Sequence, residues 1–293
     1  MAANYWNSTQ AKYWTFTRAE LAEMRTALAK TTPGSKPLPD PRHLAIYTQS
    51  QLLKLAKRMS LRQQALATAQ IYIARFYLTT PIQQTNPYLI MVTATYLACK
   101  TEEAPQHIRL MLAEAARQWP ELGVTEASKI GECEFQLIST MKSRMILHHP
   151  YRPLGELQTA LGLSTEESAL AHSIVNDSYT TDLPLLYPPH VIAITAVFLA
   201  VVLRPAQPAG LQAHSTASPA LSGSAAANAA LSGFGFRQSP QKMTRLVDWL
   251  AESRVEMESV VDATQEMVSL YECWEGFSER GVKEAISGFM KAK

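Results

Sequence analysis

The 293 residues carry 27 lysines and arginines against 25 aspartates and glutamates, a formal charge of +2, with 47% hydrophobic residues. So even a balance argues against a nucleic-acid or membrane-surface partner held by charge, and the length suits two domains with buried cores. The three cysteines, Cys99, Cys133 and Cys273, stand far apart with no C-x-x-C, which speaks against a disulfide framework or a zinc site and for a reducing compartment.

The opening residues, Met1 to Trp6, lack the charged-then-apolar layout of a secretion signal, so the sequon Asn7-Ser8-Thr9 is expected to stay unmodified. Helical spacing begins with an arm over about 8–30. Thr32 to Pro41, rich in proline and glycine, then breaks the chain. Over 62–78, Leu66, Ala69, Ile73 and Phe76 fall 3, 4 and 3 apart, the stripe of an amphipathic helix. Asn86-Pro87 supplies an N-cap and a first-turn proline for a helix to about Lys100. Ile130, Cys133, Leu137 and Met141 mark a helix over 125–142. Ser164 with Glu167 has capping-box spacing and opens a helix through Tyr179. Pro188-Pro189 opens the apolar run Val191 to Leu203, 13 residues and too short for a bilayer of roughly 30 Å. From Arg204 to Pro240, Ala, Ser, Gly and Pro fill 24 of 37 residues, a composition predicting a disordered insertion. A last helix is predicted from about Arg254 to Phe277. The fold class is all-α, and a soluble intracellular protein is expected.

An internal repeat organises these helices. Pro87-Tyr88-Leu89-Ile90-Met91-Val92-Thr93-Ala94 and onward overlays Pro189-His190-Val191-Ile192-Ala193-Ile194-Thr195-Ala196 at an offset of 102, with Pro, Ile, Thr, Ala, Leu and Ala coinciding. Ala65-Leu66-Ala67 matches Ala169-Leu170-Ala171 at 104. A period near 100 exceeds any solenoid unit and predicts two domains of one design, each with a central helix apolar nearly all round.

No phosphate-binding glycine loop, G-x-S-x-G or H-E-x-x-H is present, so no catalytic residues are assigned. His148 and His149 are adjacent and point apart, so neither metal nor other cofactor is assigned. The ends of the matched helices differ. The first reads Cys99-Lys100, the second Val201-Val202. Lys100 fits two readings: a lysine complementing a helix C-terminus, or half of a charged contact site peculiar to the first domain.

Leu97-Ala98-Cys99-Lys100-Thr101-Glu102-Glu103 and Gly131-Glu132-Cys133-Glu134-Phe135, on a duplicated helical domain, resemble the cyclins. Arg75-Phe76-Tyr77, His149-Pro150-Tyr151-Arg152-Pro153, Ile174-Val175-Asn176-Asp177-Ser178-Tyr179 and Thr181 to Pro189 resemble the cyclin C family in particular, as does Ala3-Asn4-Tyr5-Trp6. The resemblance implies tandem five-helix boxes: an arm and linker over 1–41, a first box over 42–147, a second over 148–280 holding the insertion 204–240, and a tail over 281–293. It implies a nuclear, non-catalytic subunit whose first box grips and activates the Mediator-associated cyclin-dependent kinase, with Lys100, Glu132 and Glu103 in the grip. It also implies a groove for other Mediator subunits, placed at Trp6, Asn176, Asp177 and Tyr179. The Met-Arg-x-x-Leu docking string of cell-cycle cyclins falls here at Met24 to Leu28, in the arm and out of place. The rivals are a transcriptional cyclin of the H, K or T type and an adaptor similar to general factor IIB, which would want a zinc ribbon and a basic face.

Overall fold

The computed structural model describes residues 4–31, 38–203 and 240–291; the expected insertion 204–240 falls almost wholly outside them. Every regular element among the described residues is helical. The arm is not one helix. It is a 3-10 turn (Tyr5–Asn7), α1 (Thr9–Tyr13) and α2 (Arg18–Lys30), interrupted where Thr17 forms a capping box with Glu20 and so restarts the helix. Then come α3 (Pro41–Met59), α4 (Gln63–Phe76), α5 (Pro87–Thr101), α6 (Ile108–Gln118) and α7 (Ala127–Thr140). After them follow α8 (Tyr151–Leu161), α9 (Thr165–Ser178), the short α10 (Leu183–Leu186), α11 (Pro189–Val202), α12 (Pro240–Glu252), α13 (Met257–Glu275) and α14 (Glu279–Met290).

The chain forms two compact units, one running to His148 and resumed from Gly276, the other spanning His149–Glu275. In the first, α5 is the hub, packed against α3, α4, α6 and α7. Asn86 starts α5 by accepting from the amides of Tyr88 and Leu89, and Pro87 occupies a first-turn position whose missing N–H costs nothing. From there Tyr88, Ile90, Met91, Val92, Ala94, Leu97 and Ala98 are all buried, and each large side chain taken from water contributes about 1.5–3 kcal/mol. Polar atoms inside are largely matched: Tyr47 and Tyr88 share a hydroxyl hydrogen bond of 2.9 Å, and Trp119 Nε1 donates to Gln51 Oε1 at 3.0 Å.

In the second unit α11 plays the same part, packed by α8, α9, α10, α12 and α13. Ser164 opens α9 with the expected capping box. Tyr187 OH donates to Asp262 Oδ2 at 2.5 Å, joining the approach to α11 with α13.

Two features extend the first unit beyond its box. Trp14 is buried with Arg75 stacked on it, the guanidinium carbon 4.6 Å from the ring centroid, and Gln10 Oε1 accepts from the His148 amide at 2.7 Å. Burial pushes the Arg75 guanidinium down to about 9. At the other end, the expectation of a second box to 280 and a tail beyond gives way to a helix, α14, packed on α3. Val282, Ile286 and Phe289 are its buried stripe; Glu279 accepts from Lys54 and Gln51, and Lys283 pairs with Glu121 at 2.8 Å.

Candidate functional site

The polar end of α5 is built by local rules. Ala104 N donates to Cys99 O at 2.9 Å and Glu103 N to Lys100 O at 3.4 Å, the paired bonds that close a helix through a left-handed residue. That residue is Glu103, at φ 52°, where glycine is the usual occupant, so the backbone carries strain of about 1 kcal/mol there. Glu103 is exposed. Its neighbour Glu102 is internal to the fold, accepting from Gln64 Nε2 and Thr68 Oγ1, both at 2.6 Å, and so ties α4 to the end of α5.

Lys100 makes an ion pair with Glu134 of α7, and its Nζ lies 4.9 Å from the centroid of the Tyr96 ring one turn earlier. The Glu134 side chain is only 14% exposed against 41% for Lys100, so the pair sits half sunk at the seam of α5 and α7. Glu132 is not brought to Lys100. It faces outward at 64% exposure, with Lys129 Nζ at 2.9 Å. The reason is helical phase: Glu134 falls four residues after Ile130 and three before Leu137, inside the buried stripe, while Glu132 lies on the opposite face. That stripe was in the sequence, and counting along it selects Glu134. The outward face also presents Phe135, 76% exposed beside Glu132.

The residues expected at the second contact divide. Asn176 Oδ1 accepts from Tyr151 OH at 2.9 Å, and Tyr179 OH meets His149 Nδ1 at 2.8 Å; the three rings of His149, Tyr151 and Tyr179 lie 5.8–6.3 Å apart. Asp177 turns the other way. It is 2% exposed, with Oδ2 accepting from Tyr271 OH of α13 at 3.3 Å, and burial pushes its carboxyl up to about 7. It cannot touch a partner as Asn176 can, because adjacent helical residues point about 100° apart. Trp6 belongs to the first unit, 62% exposed, with its ring edge-on to Tyr5 at 5.2 Å. Among the described residues no group of three or more His, Cys, Asp or Glu is placed to hold a metal ion, and no helix is long and apolar enough to cross a membrane.

The family described as cyclin, N-terminal domain, matches residues 13–146. The RNA polymerase II holoenzyme cyclin-like subunit of Aspergillus clavatus is 52% identical, with all of this chain and 99% of that protein aligned. The subunit of the same description from Neurospora crassa is 47% identical, over the same shares of both chains. Among solved structures, a chain of the CAK complex from Chaetomium thermophilum bound to ATP-gamma-S superposes with a TM-score of 0.68 at 19% identity, covering 98% of this chain and 88% of that one. A chain of the yeast TFIIK complex (Kin28/Ccl1/Tfb3) gives 0.57 at 17% identity, covering 90% of this chain and all of that one. Both share the fold. With the hub helices, the repeat and full-length identity above 50%, this chain belongs to the cyclins, among the RNA polymerase II holoenzyme cyclin-like subunits of the cyclin C family.

Proposed function

We propose that the chain is a non-catalytic regulatory subunit that binds and activates a cyclin-dependent kinase, the Mediator-associated one, and through it regulates RNA polymerase II transcription in the nucleus. The observation that carries this reading is the Lys100–Glu134 pair at the end of the first hub helix, where the second hub ends in Val201 and Val202. An ion pair half sunk at the seam of α5 and α7 suits a partner surface of mixed character; Glu103 is exposed just past the end of α5, while Glu132 lies on the outer face of α7 with Phe135. The names of the full-length relatives support the transcriptional setting.

The mechanism is a shift of population. A kinase with inactive and active arrangements moves toward the one this surface binds better, by no more than the difference in affinity; going from 1% to 99% active requires about 5.5 kcal/mol of preference. The nucleotide, metal and phosphoryl chemistry belong to the kinase. Other Mediator subunits are proposed to meet Asn176 and Trp6, with Tyr179, 7% exposed and bonded to His149, and Asp177, holding α9 against α13, supporting them from within. Affinity purification of the tagged full chain followed by mass spectrometry tests the reading. A cyclin-dependent kinase together with Mediator subunits is the expected catch. A kinase of the CAK or cell-cycle type with no Mediator subunit would overturn it, as would promoter factors without any kinase.

A further inference from the structure

Resting on the kinase-contact reading above, we propose that Tyr96 is a positioning residue that holds the Lys100 ammonium ready for the kinase. A lysine carries four freely turning side-chain bonds, and an exposed one samples many rotamers that a partner must then restrict. Lys100 is held from two sides. Glu134 takes its Nζ from across α7, and the face of the Tyr96 ring lies under it at 4.9 Å, inside the range where a cation is drawn to an aromatic quadrupole. The ring and the ammonium are four apart on one helix, so the backbone of α5 fixes their approach. Glu134 alone would leave the ammonium to swing about the carboxylate; the ring supplies the second direction that defines where it points.

The second unit separates this role from packing. There the matched position holds Phe198, half-buried like Tyr96, and the position of Lys100 holds Val202. An aromatic ring at this point thus packs in both units, and among the described residues only in the first does a cation lie over it. Tyr96→Phe therefore keeps both packing and ring face, while Tyr96→Leu keeps apolar volume and removes the ring face. Cation–π contacts at exposed sites correspond to about a two- to fivefold change in an equilibrium constant.

The test uses the full chain and the cyclin-dependent kinase recovered with it. In lysine-labelled protein, the Lys100 ε-methylene protons should show an upfield ring-current shift that survives Tyr96→Phe and disappears in Tyr96→Leu. Kinase affinity should fall about two- to fivefold in Tyr96→Leu and stay unchanged in Tyr96→Phe. In a Lys100→Met background Tyr96→Leu should add nothing, whereas a purely structural ring would lower affinity there too. If Lys100→Ala weakens kinase binding while Tyr96→Leu does not, the positioning role is overturned and the kinase-contact reading stands. If Lys100→Ala itself leaves binding intact, the kinase-contact reading fails along with any role for Tyr96 in it. Should Tyr96→Leu lose its helical circular dichroism, the unaltered chain decides: an unshifted Lys100 signal there overturns the proposal.

Discussion

The two hub helices are near copies inside and unlike at one end. In α5 and α11 the matched residues Ile90 and Ile192, Ala94 and Ala196, Leu97 and Leu199, Ala98 and Ala200 are all at most 3% exposed. Past that shared stretch α5 continues into Cys99, Lys100, Thr101 and a strained left-handed Glu103, and α11 into Val201, Val202 and Leu203. A helix surrounded by its neighbours must be apolar on all sides whatever the protein does, so the agreement speaks of fold. The divergence is the feature on which the proposed kinase contact rests, since the packing of a hub does not itself require a lysine at its end.

The sharpest way to break that division is at the pair itself. Lys100→Ala should cost kinase binding about 2–5 kcal/mol, the usual loss when a charge is removed from a pair buried across an interface, and Glu134→Ala should cost less, because it frees Lys100 without removing it, with melting temperature close to that of the unaltered chain in both. Val202→Lys in the second unit should confer no kinase binding on a Lys100→Ala chain. Glu132→Ala should cost less than Glu134→Ala, since Glu132 is exposed and already answered by Lys129. Quantitative pull-down with circular dichroism on the same samples checks all of these. Equal loss in Glu132→Ala and Glu134→Ala would move the contact onto the outer face of α7, around Phe135.

A smaller effect separates the units by pH. The buried Asp177 carboxyl of the second unit titrates at about 7, whereas in the unfolded chain it titrates near 3.8. Between those values the folded state holds a proton that the unfolded state has lost, so stability falls as pH rises from about 4 to 7 and levels off above. The first unit's displaced buried charge is Arg75, pushed down by burial but still titrating only in the alkaline range, outside this window. Hydrogen exchange measured at pH 5 and at pH 7.5 should therefore show α9, α11 and α13 losing protection with rising pH, at most on the order of 2.5 kcal/mol over that window. Helices α4, α5 and α7 should change less. Asp177→Asn should flatten the slope and slow exchange in the second unit at pH 7.5. A slope that persists in that variant would place its origin in another group.

What the sequence disclosed and what it withheld follow the range of the forces involved. The caps at Asn86 and Ser164, the proline starts and the hub stripes are set by residues within a turn or two of each other, and they were legible. Glu134 was legible too, by phase along Ile130, Cys133 and Leu137, but the motif drew attention to Glu132. Helix α14 was not. Its stripe Val282, Ile286, Phe289 is short, and the groups that fix it, Lys54, Gln51 and Glu121, lie more than 150 residues earlier in the chain. The inward turn of Asp177 likewise depends on Tyr271, whose approach no local pattern announces.

The smallest expected difference lies at a matched pair in the hubs themselves. Thr93 and Thr195 occupy the same place in α5 and α11, 0% and 1% exposed, and neither hydroxyl has a hydrogen-bond partner within normal range among the described residues. A buried hydroxyl left unmatched costs free energy that a methyl group of the same shape does not. The two sites are not alike, however. The Cys133 thiol of α7 lies beside Thr93, close enough to feel it, and a thiol is a weak donor and acceptor that recovers part of the cost. Thr195→Val should accordingly raise the stability of the second unit by about 1 kcal/mol, and Thr93→Val should give the first unit a smaller gain or none. Urea denaturation followed by hydrogen exchange within each unit resolves the two. Destabilisation by Thr195→Val would mean that its hydroxyl does bond in solution, to a hub carbonyl or a buried water, and that the two hubs are more alike in their polar interiors than their shared apolar stripe reveals.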